Sequence, residues 1–380
     1  MAQQRSIFQE VSDSPAETRA RAQPGLAETQ RGRNRRAIAL WLASLFALLV
    51  VMIGVGGATR LTDSGLSITE WRPVTGALPP LSAADWQVEF EKYKAIPEYR
   101  LVNRGMSLEA FKVIYWWEWG HRQLGRVIGL VWAVGFLWFL ARRAIPPGWT
   151  ARLLLLGFLG GLQGAIGWWM VASGLTGVMV DVAAYRLAVH LGLAFVILGL
   201  IAWYVFLLRR EDAALLQARR RALAPLRRWG GVLVTVGFVQ ILLGALVAGL
   251  DAGRGYIDWP LMGGEVLPSE SFRLEPLWRN FLENEALVQF NHRVLGYVLA
   301  VLGFLAWLAG RRAAIGAVRR AWHGMLAALA LQIGLGIVTV MQAAPVWLAL
   351  PHQLVGVVLF VMILRARFLS AYPPAQRITA

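Results

Sequence analysis

Eight apolar runs of about twenty residues each limit what this 380-residue chain can fold into. As a helix, a run of that length crosses a hydrocarbon layer of about 30 Å. Lipid offers the main chain no hydrogen-bond partners, so each run must pair its own backbone, and a helix does that within one segment. The runs lie near 37–58, 119–141, 153–172, 186–208, 229–250, 287–310, 321–342 and 346–364. They predict an all-α membrane protein with eight transmembrane helices. Only 16% of the residues are charged, against about a quarter in soluble domains. The 18 Trp and 16 Phe suit rings placed at lipid interfaces.

A net charge of +16 would by itself suit nucleic acid, but the positions of the basic residues argue against that partner. They gather in short loops: Arg142, Arg143 and Arg152; Arg209, Arg210, Arg219, Arg220, Arg221, Arg227 and Arg228; Arg311, Arg312, Arg319 and Arg320; and Arg365 with Arg367. Basic loops stay on the cytoplasmic side, so both termini are expected inside, N-in/C-in. The long connections 59–118 and 251–286 then face outward; the first balances seven basic against eight acidic residues. A short helix is expected over Ala83–Lys94, and another near Leu108–Tyr115. Residues 1–36 read as a polar cytoplasmic tail without a signal-peptide core, and the first run reads as a retained anchor. The chain has no cysteine, which excludes disulfides, iron–sulfur clusters, thiolate zinc sites and cysteine nucleophiles.

The chain also resembles itself. His121-Arg122-Gln123-Leu124-Gly125 opens the second span and His292-Arg293-Val294-Leu295-Gly296 the sixth. Leu162-Gln163 before Gly167 matches Leu331-Gln332 before Gly336. Leu187-Ala188 before His190 matches Leu348-Ala349 before His352. The offsets are 171, 169 and 162 residues, as expected for two tandem four-helix bundles from a duplicated unit. The expected division is a tail 1–36, a first half 37–208, a basic linker 209–228, a second half 229–367 and a tail 368–380.

Four of the five histidines follow this repeat. By the charge-derived topology, His121, His190, His292 and His352 all lie at the outward ends of their spans, two per half. His121, His190 and His292 precede the first cytoplasmic arginine by 21, 19 and 19 residues, and His352 by 13. Polar groups inside spans are costly and mark function, and paired neutral imidazoles in a four-helix bundle can grip haem iron. No carboxylate or thiolate clusters with both members of a pair, which disfavours copper and zinc. A bland alternative for each histidine is an interfacial hydrogen bond, and that is the expectation for His323, at the cytoplasmic start of span seven.

Gly160, Gly161, Gly164 and Gly167 would allow close helix approach or a flat ring against the backbone. Arg122, Arg126 and Arg293 are candidates for haem propionates, with lipid headgroups as equal contenders. Glu118 lies three residues before His121, where Gln289 lies three before His292, so each shares a helix face with its histidine. A carboxylate can take a proton or stabilise a cation. The first half is thus the candidate for chemistry and the second for electron transfer, unless Glu118 is simply an interfacial partner of Arg122.

The strings Tyr115-Trp116-Trp117-Glu118-Trp119-Gly120-His121-Arg122 and Gly57-Ala58-Thr59-Arg60-Leu61-Thr62-Asp63-Ser64-Gly65-Leu66-Ser67-Ile68-Thr69-Glu70-Trp71 resemble the haem A synthase family. So do Gly244-Ala245-Leu246-Val247-Ala248-Gly249-Leu250-Asp251-Ala252-Gly253, Asp258-Trp259-Pro260-Leu261-Met262 and Gln289-Phe290-Asn291-His292-Arg293. The resemblance covers about residues 37–365. It implies an oxidoreductase that converts the C8 methyl of haem O to a formyl group, giving haem A for terminal oxidases. Successive hydroxylations and loss of water from a gem-diol would do this. It implies haem b held by His292 and His352, haem O held by His121 and His190, and Glu118 near the reacting methyl. The chain resembles the cysteine-free branch found in proteobacteria and mitochondria, so a mechanism requiring a thiol does not transfer. Implied surroundings are the bacterial inner membrane, the lipid bilayer, a haem O synthase and an electron donor that the residues do not name, with a homo-oligomer left open. Two other readings stand beside it: a di-haem cytochrome b that carries quinol electrons, and a haem transporter or chaperone.

Overall fold

Apolar side chains without interruption let the backbone close its own hydrogen bonds over long stretches, and the computed structural model, which describes residues 26–375, is helical throughout its spans. The helices are α1 (Leu26–Leu61), α2 (Ala83–Lys94), α3 (Pro97–Leu101), α4 (Leu108–Ala141), α5 (Thr150–Val171), α6 (Ala184–Leu208), α7 (Asp212–Arg220), α8 (Ala224–Gly249), α9 (Asn280–Glu283), α10 (Glu285–Gly310), α11 (Gly316–Met341) and α12 (Val346–Ala371). Eight of them, α1, α4, α5, α6, α8, α10, α11 and α12, are long and apolar enough to cross a membrane. The chain is a multi-pass membrane protein. Among the described residues there is no β-strand, only one isolated bridge between Met262 and Glu265.

The helices run past the hydrophobic runs. Helix α1 starts at Leu26, eleven residues before the expected span, so Arg31–Arg36 are helical. Arg35 is buried there, with Nη1 3.0 Å from each carboxylate oxygen of Asp212 on α7. Helix α4 is one unbroken 34-residue helix from Leu108, not a short helix followed by a span. Helix α12 continues to Ala371, which makes the first residues expected in the C-terminal tail helical. Expectations for residues 1–25 and 376–380 lie outside the described residues.

Helix α1 packs on α4, α6 and α12; α6 packs on α5 and α8; α8 packs on α10 and α12; and α11 lies along α12. The joint between the two sets of four is therefore made by α1, α6, α8 and α12. Leu42, Ile53, Phe195, Leu198, Ile201 and Phe360 fill its centre. A second cluster, with Leu233, Leu299, Trp322, Met325 and Ile363, fills the second set. Between helices already in lipid, close van der Waals packing drives this association, because acyl chains are as apolar as leucine. For the same reason, Leu130, Val134, Leu137 and Phe158 are exposed at no penalty.

The 59–118 connection is folded. A capping box starts α2: Ser82 Oγ accepts from Asp85 N–H at 3.1 Å, and the Asp85 carboxylate accepts from Ser82 N–H at 3.0 Å. Phe90, Tyr93 and Ile96 pack on Phe111 and Tyr115 of α4. Arg60, at the end of α1, ties this end together. It lies 2.7 Å from Asp63, 2.7 Å from Asp251 and 3.5 Å from Asp181, with only 10% of its side chain exposed. Asp63 and Asp251 both turn the chain with φ near +50° (49° and 50°) directly after a span.

Candidate functional site

The four repeat-matched histidines sit on four different helices: His121 on α4, His190 on α6, His292 on α10 and His352 on α12. Each ring lies against a glycine of another spanning helix. A Cβ at Gly56, Gly167, Gly244 or Gly336 would stand 3.3, 2.9, 3.1 and 2.8 Å from Cε1 of His121, His190, His292 and His352, respectively. Any side chain there would press on the ring, so glycine is what lets each imidazole settle on a helix backbone. Of the four glycines singled out on α5, Gly167 meets the His190 ring, while Gly160, Gly161 and Gly164 approach no other helix within 4 Å. His323 sits elsewhere, accepting at Nδ1 from Trp307 Nε1 at 2.9 Å.

Glu118 is buried and fully engaged. Its Oε2 accepts from Ser67 Oγ at 2.7 Å and Ile68 N–H at 2.8 Å, and its Oε1 from Arg122 Nε at 3.1 Å and Nη2 at 2.5 Å. Arg122 also donates to the carbonyls of Ile68 (2.8 Å) and Glu70 (3.0 Å), and its guanidinium lies 5.8 Å from the Trp168 ring. A four-residue helical spacing thus becomes a clamp on the 64–71 loop. On α10, Gln289 and Arg293 do the same with opposite polarity. Gln289 donates to the Tyr256 carbonyl at 3.1 Å, and Arg293 donates to the carbonyls of Tyr256, Asp258 and Leu261 at 2.8–2.9 Å. Arg126 donates to the carbonyls of Pro73 and Arg72 at 2.9 and 3.0 Å. All three arginines therefore hold the 59–118 and 251–286 connections, a use of the guanidinium that carbonyl partners leave unmarked in sequence.

Outside the spans, several acids in these loops stand apart from the ordinary range, Glu98 and Asp258 among them. Burial, with the charges of Asp181, Glu118 and Asp63 behind it, pushes the Glu98 carboxyl up to about 8. Asp258 is held below its usual value by the N–H groups of Gly263 and Gly264, at 2.8 and 3.1 Å. Glu98 is a residue that sequence reasoning passed over, because nothing in Pro97-Glu98-Tyr99 signals that its side chain turns inward.

Compared with known proteins, residues 39–364 match the COX15-CtaA family model, described as cytochrome oxidase assembly protein. Relatives that carry the name heme A synthase align along nearly the whole chain. That of Ruegeria sp. (strain TM1040) is 62% identical, covering 98% of both chains. That of Ruegeria pomeroyi is 61% identical and covers 100% of both. That of Paracoccus denitrificans is 58% identical and covers 97% of both.

The chain belongs to the haem A synthase family.

A haem A synthase family member must offer a place for porphyrin iron, and the residues present fit one. The donors are neutral-capable imidazoles in pairs, and each sits in a cradle that a Cβ would fill. Among the described residues, no three His, Asp or Glu side chains converge as a metal cage. Beside three of the four rings lies an amide: Gln163 Nε2 is 3.2 Å from Nδ1 of His190, Gln240 Nε2 is 3.1 Å from Nδ1 of His292, and Gln332 Nε2 is 3.3 Å from Nδ1 of His352. The carbonyl oxygen of each glutamine is buried without a hydrogen-bond partner. A buried acceptor left alone costs about 1–3 kcal/mol, so three of them beside three histidines point to a donor supplied by the filled site.

Proposed function

We propose that the chain acts as a haem A synthase, an oxidoreductase that converts the C8 methyl of haem O to a formyl group and so makes haem A for terminal oxidases. Membership of the family supports the reaction. The observation that carries its residue assignment is the likeness of the two histidine pairs set against the unlikeness of Glu118 and Gln289.

In this reading, His121 and His190 hold the iron of the substrate, haem O. His292 and His352 hold a resident haem b, which when bound supplies one-electron transfer to the substrate site. Each of two hydroxylations would be a two-electron oxidation of the methyl carbon, drawing its oxygen atom from an external oxidant of the dioxygen class. The oxidant's other oxygen would leave as water with electrons from the donor, and the resulting gem-diol would lose water to leave the formyl group. Glu118 stays beside the substrate pair as a fixed carboxylate. Its lone pairs are occupied by four donors, so it suits stabilisation of positive charge at the reacting carbon better than shuttling a proton. The Arg122, Arg126 and Arg293 clamps keep the outward loops over the histidine ends, and propionates that reach this rim would meet those same guanidiniums.

The expected setting is the bacterial inner membrane, with both termini cytoplasmic and all four histidines toward the outer leaflet, as the basic short loops favour. A duplicated four-helix unit (37–208 and 229–367, joined by the basic 209–228 linker) accounts for the matched glycine–histidine contacts and the matched turns at Asp63 and Asp251. A haem O synthase would supply the substrate, and an electron donor would close the cycle.

The test is co-expression with a haem O synthase in a host that lacks haem A, followed by extraction and analysis of the haem. Haem A is the expected product. Haem b alone, with haem O untouched, would turn the assignment toward an electron carrier.

A further inference from the structure

The four histidine sites share one construction, and one of them breaks it. In each, the residue four before the cradling glycine reaches the histidine's surroundings. These residues are Gln163 for Gly167, Gln240 for Gly244, Gln332 for Gly336, and Met52 for Gly56. The positions also correspond in space. A Cβ on Gly296, four after His292, would stand 3.5 Å from Gln240 Nε2; one on Gly356, four after His352, would stand 3.5 Å from Gln332 Nε2; and one on Gly125, four after His121, would stand 3.4 Å from Met52 Cε. Met52 therefore ends where the glutamine amides end. No hydrogen bond reaches the His121 ring among the described residues, whereas the other three rings each have an amide 3.1–3.3 Å from Nδ1 and 3.3–3.4 Å from Nε2, within reach of whichever nitrogen keeps the proton.

We propose that Gln163, Gln240 and Gln332 are positioning residues for His190, His292 and His352, and that Met52 leaves His121 as the weakly held, exchangeable ligand. The inference rests on the haem-binding reading above and deepens it. Iron on one ring nitrogen puts the proton on the other, and that N–H needs an acceptor to fix the ring and raise its basicity. The orphaned Oε1 of each glutamine is such an acceptor, within a half-turn of the amide's last torsion. The half-turn gives up the amide's bond to the histidine carbonyl, present at 3.0 Å for His190 and 2.9 Å for His292, but that helix carbonyl still has its own i+4 N–H to accept from. A thioether is a weak acceptor and offers no equivalent. A resident group is held best by two supported imidazoles, and the C-terminal pair has two. A substrate that must leave as product is served by one supported and one unsupported imidazole, and the N-terminal pair is built so.

The experiment compares wild type with Met52→Gln and Gln240→Met, purified as full chains and loaded with protohaem. Transfer of haem to excess apomyoglobin is followed by absorbance, together with the low-spin ferric signal and the midpoint potential. Wild type should release haem in a fast and a slow phase. Met52→Gln should slow the fast phase by about 10-fold or more and leave the slow one alone; Gln240→Met should speed the slow phase by a similar factor. Gln240→Met should also raise the midpoint potential of the tighter haem, because the ferric form loses the more basic imidazole, a shift that general loosening would not give. Gln332→Met provides the same readout if Gln240→Met does not fold. Unchanged rates and potential in variants that keep the bis-imidazole signal would overturn this inference alone. A wild-type protein with no bis-imidazole signal would overturn the haem-binding reading and the inference together.

Discussion

The Glu118 carboxylate accepts a hydrogen bond from the main-chain N–H of Ile68 at 2.8 Å. Its counterpart Gln289 instead donates to a carbonyl, that of Tyr256. Each loop thus presents the polarity that its helix residue requires, and acid and amide are not interchangeable at either place.

Glu118→Gln therefore sets an amide N–H against the donors of Ile68 or Arg122 and removes the fixed charge. Formyl production should fall by about 100-fold or more, while the haem held by His292 and His352 stays. Extracted haem composition checks both halves of this outcome; undiminished haem A in the variant would remove Glu118 from the chemistry.

His352→Ala should abolish the bis-imidazole signal of the tighter haem and spare the signal from the His121 and His190 pair. Ferric low-spin spectra of the purified variant measure this directly. Retention of both signals would mean that the pairing within halves is wrong.

A methyl group discriminates cradle from bystander. Gly336→Ala places a Cβ 2.8 Å from the His352 ring, a displacement that costs about 1–3 kcal/mol in a packed interior. Gly32→Ala, at the other end of α1 from Gly56, meets nothing within 4 Å and should be silent. Haem content per protein should drop for the first and hold for the second.

Glu98 gives the folded 59–118 connection a pH dependence. Its carboxyl sits near 8 when folded against an ordinary 4.5, so the folded state favours the protonated form. The stability this lends is complete below pH 4.5 and drains away as pH rises to about 8. Glu98→Gln stays neutral throughout. It should match wild type near pH 4.5 and exceed it in melting temperature at pH 8.5 and above in detergent; a constant gap at all pH values would refute the sign.

The spans were legible because hydropathy averages over about twenty residues, a distance set by the bilayer. Helix ends were not, because hydrogen bonding along a helix does not stop where lipid does. Arg31–Arg36 and Leu108–Trp117 continue helices that polarity alone would have closed. The four histidines stood out through their repetition. Their glycine seats and amide neighbours did not, since those contacts join different helices, although the spacing Gln163 to Gly167, Gln240 to Gly244 and Gln332 to Gly336 carried the signal. The loop-clamping role of Arg122, Arg126 and Arg293 left no trace, because their partners are backbone carbonyls that any residue supplies.

Arg60 gathers Asp63, Asp181 and Asp251 from three separate stretches of chain, and Arg35 fastens α1 to Asp212 on α7 beyond the far end of α6. Of these ion pairs only Arg60–Asp251 crosses between the two four-helix sets; together with the packing of α1 and α6 on α8 and α12 it makes the peptide link between the sets dispensable for alignment. A protease nick after α7 should leave the severed fragments migrating together, with their pigments still in register.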